Sequence, residues 1–592
     1  MPFPVRPPRL IPEEAKRMRF ALALWFGLSA LSLGCGGSHS ASTEVALVDE
    51  AASAEDPVWF RDDTAQVGLD FVHEAGPVGR YFMPQSMGSG AALLDYDKDG
   101  RFDLYLIQNG GPGSPARNKL YHQRSDGRFE DVSAGSGLDI AGYGMGVAVG
   151  DIDNDGFVDV YVSQYGGGRL FRNRGNGTFE DITDSAGVQT LSWGTSAAFV
   201  DYDRDGWLDL IVVNYVDYDA ALVCAPANGQ RDYCHPRNFA GAAAHLFHNR
   251  GRDAHGRWLG FEDVTHKAGL GKPGPGLGVV CADFNGDGWP DILVANDSAA
   301  NHLWINRHDG TFVNEAMTRG LAFNNMGQTQ ANMGIALADV FGSGRFDVFV
   351  THLTEETHTL WHPSAAGAYE DRTISSGLAN PRWHGTGFGA ILVDFDLDGA
   401  PDLAIVNGRV ARKPAAPSAD VKVDPYWAPY AERNQLFVND GQGKFRDISP
   451  SNKAFCGAYG VCRGLVWGDF DGDGRVDLVA TAVAGPARFY RNVAPRNGHW
   501  LMVRAVDPAL HRDAYGAVVT VQSRARRWIG AINPGQSYLC SGDPRAHFGL
   551  GSVTSFDLLR VLWPDGQAEE FPGGGVDRVI TLERGRGRKA TP

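Results

Sequence analysis

Asp95-Tyr96-Asp97-Lys98-Asp99-Gly100-Arg101-Phe102-Asp103 decides how this 592-residue chain folds. Its D-x-[DN]-x-D-G-x-x-D spacing returns intact from Asp151, Asp201, Asp283, Asp394 and Asp469. It returns once in eroded form, Asp339-Val340-Phe341-Gly342-Ser343-Gly344-Arg345-Phe346-Asp347. Carboxylates at positions 1, 3 and 5 of a tight turn converge on a hard cation, glycine at 6 takes the bend, and an acid closes the shell. The intact copies nominate Asp95, Asp97, Asp99, Asp103, Asp151, Asp153, Asp155, Asp159, Asp201, Asp203, Asp205 and Asp209 as Ca²⁺ ligands. They also nominate Asp283, Asn285, Asp287, Asp291, Asp394, Asp396, Asp398, Asp402, Asp469, Asp471, Asp473 and Asp477, giving about six sites. The eroded copy has Phe341 and Ser343 at ligand positions and reads as an empty turn.

EF-hand helices are missing on both sides of these loops. Ala91-Ala92-Leu93-Leu94 precedes the first and Leu104-Tyr105-Leu106-Ile107 follows it, short apolar runs that read as buried strands. The unit is thus a hairpin whose turn is the metal loop. Successive loops lie 56, 50, 82, 56, 55 and 75 residues apart, so a basic period carries insertions near 215–243 and 408–433. Each unit goes on to a strand such as Arg169-Leu170-Phe171-Arg172-Asn173 and then to an F-x-D-like segment, at Phe129, Phe179, Phe261, Phe312, Tyr369 and Phe445. The copy missing after the seventh loop stands ahead of the first, as Phe60-Arg61-Asp62. Four strands in each of seven units predict an all-β, seven-bladed propeller over 58–496, closed by its N-terminal strand.

Met18-Arg19 and the apolar run Phe20 to Leu33 read as a signal peptide, 1–34, with Met18 as an alternative start. Gly34-Cys35-Gly36 resembles a lipoprotein processing site in which Cys35 is lipidated, although Ser32 stands where Leu is usual. The other reading is an ordinary cleaved signal. Residues 35–57 read as a flexible tether, and no further segment is long and apolar enough to span a membrane. Export is expected on either reading: an outer-membrane or cell-surface lipoprotein, or a periplasmic or secreted protein. The formal net charge is −16, yet 25 acids stand at loop ligand positions, and six bound Ca²⁺ would leave about −4. No Lys/Arg stripe points to nucleic acid. Cys224 and Cys234 bracket the first insertion and are expected to form a disulfide, as are Cys456 and Cys462 across a turn. Cys281 is expected to be a buried thiol, and Cys540 has no evident partner.

From 497 to 586 the repeat gives way to alternating apolar patterns, which read as a small β-sandwich-like domain, and 587–592 as a disordered tail. The loops resemble FG-GAP/VCBS repeats of the kind found in integrin α-chain propellers. His547-Phe548-Gly549-Leu550-Gly551 and Trp563-Pro564-Asp565-Gly566 look like an ASPIC/UnbV domain. Together they are similar to secreted proteins of the cartilage acidic protein 1 type. That resemblance covers about 58–586 and implies a Ca²⁺-binding extracellular propeller without an established reaction.

Thirteen residues after each first Asp stand Gln108, Gln164, Asn214, Asn296, His352, Asn407 and the outlier Ala482. This column falls at the end of the hairpin away from the metal turns. It reads either as a ring around a channel mouth that binds a polar ligand or as caps for its own strand ends. Neighbours on that face are Arg80, Tyr81, Met83, Gln85, Trp193, Met333, His384 and Arg463, and both insertions leave from it. The cluster His352, Glu355, Glu356, His358 and His362 matches no helical two-His metal site. The expected function is a Ca²⁺-stabilised module presenting this face to a glycan or protein. The alternative is a polysaccharide lyase working in the central groove through His384, Arg463 and Arg80. A purely structural envelope protein is a third possibility.

Overall fold

The computed structural model describes residues 56–225, 229–413 and 423–590, all within one compact unit. The signal peptide, Cys35, nearly all of the tether and residues 591–592 lie outside the described residues. Seven antiparallel sheets, each built on four strands, account for 60–492. The sheets are numbered here, with their loops, in chain order of the metal loops. In each, an inner strand leads into the metal loop and the second strand leaves it, as in Gly144–Gly150 and Asp159–Gln164 of sheet two. A third strand (Arg169–Asn173) and a short outer strand (Phe179–Asp181) complete the meander. In sheet two the inner and second strands are buried along their whole length, which is why they read as apolar runs, whereas the outer Phe-Glu-Asp strand buries only its Phe.

The sheets form a β-propeller. Inner strands touch in sequence around an axis, and the last, Cys462–Gly468, touches the first, Ala91–Leu94. Phe60–Asp62 pairs antiparallel with Arg488–Asn492, so the N-terminal strand completes the seventh sheet.

A second set of bonds runs round the ring and escaped the sequence reading. The amide ending the third strand of one sheet donates to the carbonyl at position 2 of the previous sheet's metal loop. Asn173 bonds to Tyr96, Asn249 to Ile152, Asn306 to Tyr202, Asn439 to Val340 and Asn492 to Phe395. Gln123 of sheet one closes the circle on Phe470 of sheet seven at 3.0 Å. Sheet five has Pro363 in this place and lacks the bond. Each such bond satisfies a buried carbonyl and contributes about 1 kcal/mol.

Beyond 497 two sheets face each other as a sandwich. One contains His499–Asp507, Ala546–Gly551 and Arg578–Glu583; the other contains Val518–Ser523, Arg526–Ala531, Ser555–Leu562 and Ala568–Gly575. Leu501, Val503, Val519, Val521, Phe548, Leu550, Leu559, Val561 and Trp563 fill its core. Two expectations are corrected. The tail is ordered at Arg588–Ala590, which adds a strand to Ala568–Glu570, with Arg588 paired to Glu570. The boundary at 497 is also not clean, because residues 535–541 leave the sandwich and run down the propeller axis.

This finger fills the channel. Cys540–Ser541 pairs parallel with Ala91–Ala92, Ser537 exchanges two backbone bonds with Ile335, and Val147 N–H donates to Leu539 O. Its tip, Tyr538, is fully buried among Met83, Met87, Trp193, Met333 and Phe388 at the far mouth. Five residues before the first Asp the inner strands form a glycine column, Gly90, Gly146, Gly278, Gly334, Gly389 and Gly464. A Cβ would strike the finger at Gly90 (Leu539 O) and Gly464 (Cys540 Sγ at 2.8 Å), and the neighbouring sheet at Gly278, Gly334 and Gly389. Ser196, the exception in that glycine column, uses its hydroxyl to accept the Leu539 N–H at 3.2 Å.

Candidate metal loops and the covered channel

In every loop the first Asp accepts the N–H of the residue at position 6 through Oδ2, as Asp151 does from Gly156 at 2.7 Å and Asp201 from Gly206 at 3.1 Å. The ninth Asp is fully buried and is a structural staple as much as a ligand. Asp159 accepts from Ile152 N at 2.9 Å and Asn173 N at 2.8 Å, tying the loop to the third strand. Asp103, Asp209, Asp291, Asp402 and Asp477 each accept the same third-strand N–H.

The remaining oxygens converge. Asp95/Asp97/Asp99, Asp151/Asp153/Asp159 and Asp201/Asp203/Asp209 each place carboxylate atoms within 4.8 Å of one another. Asp95, Asp153, Asp201 and Asp203 each keep a buried Oδ1 without a hydrogen-bond partner. Burial, aided by neighbouring carboxylates, pushes Asp103 and Asp291 up to about 8 and Asp151 and Asp201 to about 7. Asp159, Asp209, Asp394, Asp402 and Asp477 are driven well above the carboxylate range by the same burial. Crowded, desolvated acids with orphaned oxygens are what a divalent cation relieves, so these residues can hold metal ions and their all-oxygen sets fit Ca²⁺.

Sequence reading missed the residue that faces each loop from the third strand, just before the ring-closing amide. The column runs His122, Arg172, His248, Ile305, His362, Val438, Arg491. In loop seven Arg491 lies 2.8 Å from Asp471 and 2.6 Å from Asp477. In loop five His362 lies 2.6 Å from Asp347 and packs on Phe341 at 4.6 Å. The signal was a column of basic side chains at fixed distance from an Asp column.

The amide column is not an open ring. Gln108, Gln164, Asn214, Asn296, His352 and Asn407 are all buried. Gln108 bonds to Val72 O and Glu74 N, Asn214 to Ala243 O, Asn296 to Ala300 O and Asn407 to Arg433 O. His352 meets Ala331 O at 3.3 Å and Thr359 Oγ1 at 3.0 Å. Trp193 is buried against Tyr215 and Tyr165. Arg463 is fully buried over Phe388 and gives its hydrogens to the carbonyls of Ser86, Gly408, Arg409 and Cys462. Of the three residues the lyase reading needs, His384 and Arg80 are exposed and Arg463 is enclosed. With the finger in the axis and Arg463 enclosed, the groove that the lyase reading needs is occupied by the chain itself.

Cys224 and Cys234 form the expected disulfide, with Cα atoms 5.2 Å apart. Cys456 and Cys462 are both free thiols. The helix Lys453–Cys456 turns Cys456 into a core, while Tyr459–Gly460 pairs with Glu432–Arg433 and draws Cys462 into the inner strand. Cys281 and Cys540 are buried thiols.

The sandwich sits on the metal loops. Arg512 reaches Asn154 Oδ1 at 2.9 Å and Gly206 O at 3.1 Å, between loops two and three. Arg526 bonds Gly399 O, Asn497 bonds Asp396, and His547 bonds Gly474 O at 2.8 Å. Gly549 lies so close to Asp394 that any Cβ would collide with the carboxylate. The glycine of His547-Phe548-Gly549-Leu550-Gly551 therefore seats one domain on a metal loop of the other. Metal-loop units joined to a docked domain of this kind identify the chain's family. It is an FG-GAP-repeat protein with a C-terminal ASPIC/UnbV domain. The FG-GAP-like repeat matches 95–162, 151–212, 283–350 and 419–480, and ASPIC and UnbV matches 507–589. Human cartilage acidic protein 1 is 27% identical over 331 residues, 55% of this chain and 46% of that protein. The Xenopus tropicalis protein of the same name is 27% identical over 330 residues, 54% and 47%. The chain therefore spans about half the length of the relatives it matches. An Agrocybe aegerita lectin structure, described as recognising non-reducing terminal N-acetylglucosamine, is 18% identical and covers 61% of this chain and 79% of its own, with a TM-score of 0.32. Among the described residues no helix is long and apolar enough to cross a membrane.

Proposed function

We propose that this protein is an exported, Ca²⁺-stabilised binding module whose ligand face is the end of the propeller opposite the sandwich. One observation carries the reading: the channel and part of the metal end, at loops two, three, six and seven, are covered by the chain's own C-terminal domain, whereas the insertion end carries a half-buried aromatic cluster. Phe82 meets Tyr143, Tyr165 and Tyr218 with ring centroids 4.9, 5.2 and 5.6 Å apart. Beside it Tyr81 packs on Tyr233 at 5.4 Å and Tyr426 at 5.9 Å, under Arg231 and Arg412. The same loops expose Val78, Leu222 and Val223. Tyrosine and arginine around exposed aliphatics is the composition of a protein-binding patch, which favours a protein ligand. A glycan is the second reading, favoured by the half-exposed ring faces. The Cys224–Cys234 staple under this face supports export to an oxidising compartment.

The test is a V78D/V223D variant compared with the parent protein, both Ca²⁺-loaded, against cell-surface proteins captured by crosslinking and against an array of extracellular glycans. The expected result is a captured protein whose purified form binds the variant at least about tenfold more weakly. Equal binding to both would overturn the assignment of this face.

A further inference from the structure

We propose that loops one and three are mixed imidazole–carboxylate sites that take Zn²⁺ or a similar transition ion in preference to Ca²⁺. The inference rests on the reading of the loops as cation sites and divides them by chemistry. In loop one His122 Nδ1 lies 3.1 Å from Asp103 Oδ1 and 3.6 Å from Asp97 Oδ2, and its Nε2 is 3.8 Å from Asp99 Oδ2. In loop three His248 Nδ1 lies 3.1 Å from Asp209 Oδ1 and 3.4 Å from Asp203 Oδ2. Asp97/Asp103/His122 and Asp203/Asp205/His248 each bring one ring nitrogen and two carboxylate oxygens within 4.8 Å of one another, close enough that small side-chain shifts would close them on one ion.

Two further observations separate these two loops from the rest, and a third adds oxygen donors to both. A Tyr at position 2, Tyr96 or Tyr202, packs edge-on against the imidazole at 6.1 and 6.0 Å and fixes its orientation. Loops two, four, five, six and seven have Ile152, Phe284, Val340, Phe395 and Phe470 at that position. Unpartnered buried oxygens remain within both loops, Asp95 Oδ1 in loop one and Asp201 and Asp203 Oδ1 in loop three, where Asp201 is only 5% exposed; loop two keeps one as well, Asp153 Oδ1, but has no imidazole. The third-strand column offers no ligand nitrogen to the other intact loops, since Arg172, Ile305, Val438 and Arg491 cannot ligate. His308 reaches a single carboxylate of loop four, Asp287 at 3.0 Å, and otherwise stacks on Trp289 at 4.6 Å. Ca²⁺ wants six to eight oxygens and gains little from an imidazole, whereas Zn²⁺ favours nitrogen and needs about four ligands.

The experiment strips the full chain with chelator, reloads it in excess Ca²⁺ and titrates Zn²⁺ by calorimetry. Two Zn²⁺ equivalents, each at least about tenfold tighter than Ca²⁺ at the same loop, are expected. His122→Asn and His248→Asn should each remove one equivalent and the double variant both, while His362→Asn should keep both. A parent chain that takes up no Zn²⁺ under excess Ca²⁺ overturns the inference without needing any variant. So does a double variant that retains both equivalents. If Ca²⁺ binds and Zn²⁺ does not, the cation loops stand and only their division falls; if neither binds, both fail.

Discussion

Loops three and five start from the same scaffold and settle their charge in opposite ways. Both have a first Asp holding the turn, a buried ninth Asp, and a histidine reaching in from the third strand. Loop three adds Asp203 and Asp205, and two of its carboxylates keep unpartnered buried oxygens. Loop five has Phe341 and Ser343 instead. Its Asp339 accepts from Ser343 N and Gly344 N at 2.7 Å each, and its Asp347 from Val340 N at 2.7 Å and His362 at 2.6 Å. Neither of those acids is left with an orphaned buried oxygen. Loop five has two carboxylates, both satisfied by backbone N–H groups and His362, whereas loop three crowds four carboxylates together and leaves the larger uncompensated charge for a cation to offset. The first-Asp hydrogen bond that holds the hairpin is the same in both, so the two loops differ in their charge and not in their turn.

Removing the ions should therefore give the largest effect. A site saturated a hundredfold above its Kd is worth about 2.7 kcal/mol, and several such sites act together. Chelation should lower the melting midpoint by on the order of 10 °C or more, measured by scanning calorimetry. A midpoint unchanged by chelator would mean that loop three is as self-sufficient as loop five.

Single substitutions sharpen the same contrast. Asp201→Ala should cost about 3 kcal/mol in Ca²⁺ and much less in chelator, because the ion is lost with the ligand. Asp339→Ala should cost about 1–2 kcal/mol in either condition, since it removes only hydrogen bonds. Denaturant unfolding of both variants, with and without chelator, tests this; a chelator-dependent loss at Asp339 would put an ion in loop five. Restoring the acids with Phe341→Asp and Ser343→Asp should convert loop five, destabilising the chain in chelator through like charges and recovering it in Ca²⁺.

Much of this was legible in the sequence because it repeats. Seven copies averaged out the ambiguity of any one turn, and the phase of Phe60-Arg61-Asp62 against Phe445-Arg446-Asp447 disclosed how the ring closes. What was not legible occurs once or depends on distant partners. Nothing local marks Ser537-Tyr538-Leu539 as an axial finger; its partners Ile335, Met87 and Ser196 lie hundreds of residues away. The inner-strand glycines repeat in the sequence, but that Gly90 and Gly464 make room for the finger while Gly278, Gly334 and Gly389 make room for the next sheet could not be read from it. Gln108, Asn214 and Asn407 formed a column that suited a ligand ring as well as strand caps, and only burial decided between them. Cys456 and Cys462 were close in sequence but belong to elements that point them apart.

The smallest expected effect lies at Pro363, where sheet five departs from the ring of amide bonds. Every other sheet donates an Asn or Gln to the loop before it, whereas Phe284 O of loop four receives only the Tyr369 hydroxyl at 3.4 Å. Pro363→Asn restores the donor and should gain about 1 kcal/mol from a buried hydrogen bond. It also frees the unfolded chain at that position, which costs about 0.4–1 kcal/mol. The net change should thus fall within about 0.5 kcal/mol of zero, and the informative quantity is its dependence on the ion. The bond would tie sheet five to loop four, an intact metal loop, so the variant's gain should be larger in Ca²⁺ than in chelator, read as a difference in unfolding midpoints. An equal shift in both would show that the amide ring stabilises the propeller independently of the loops it touches.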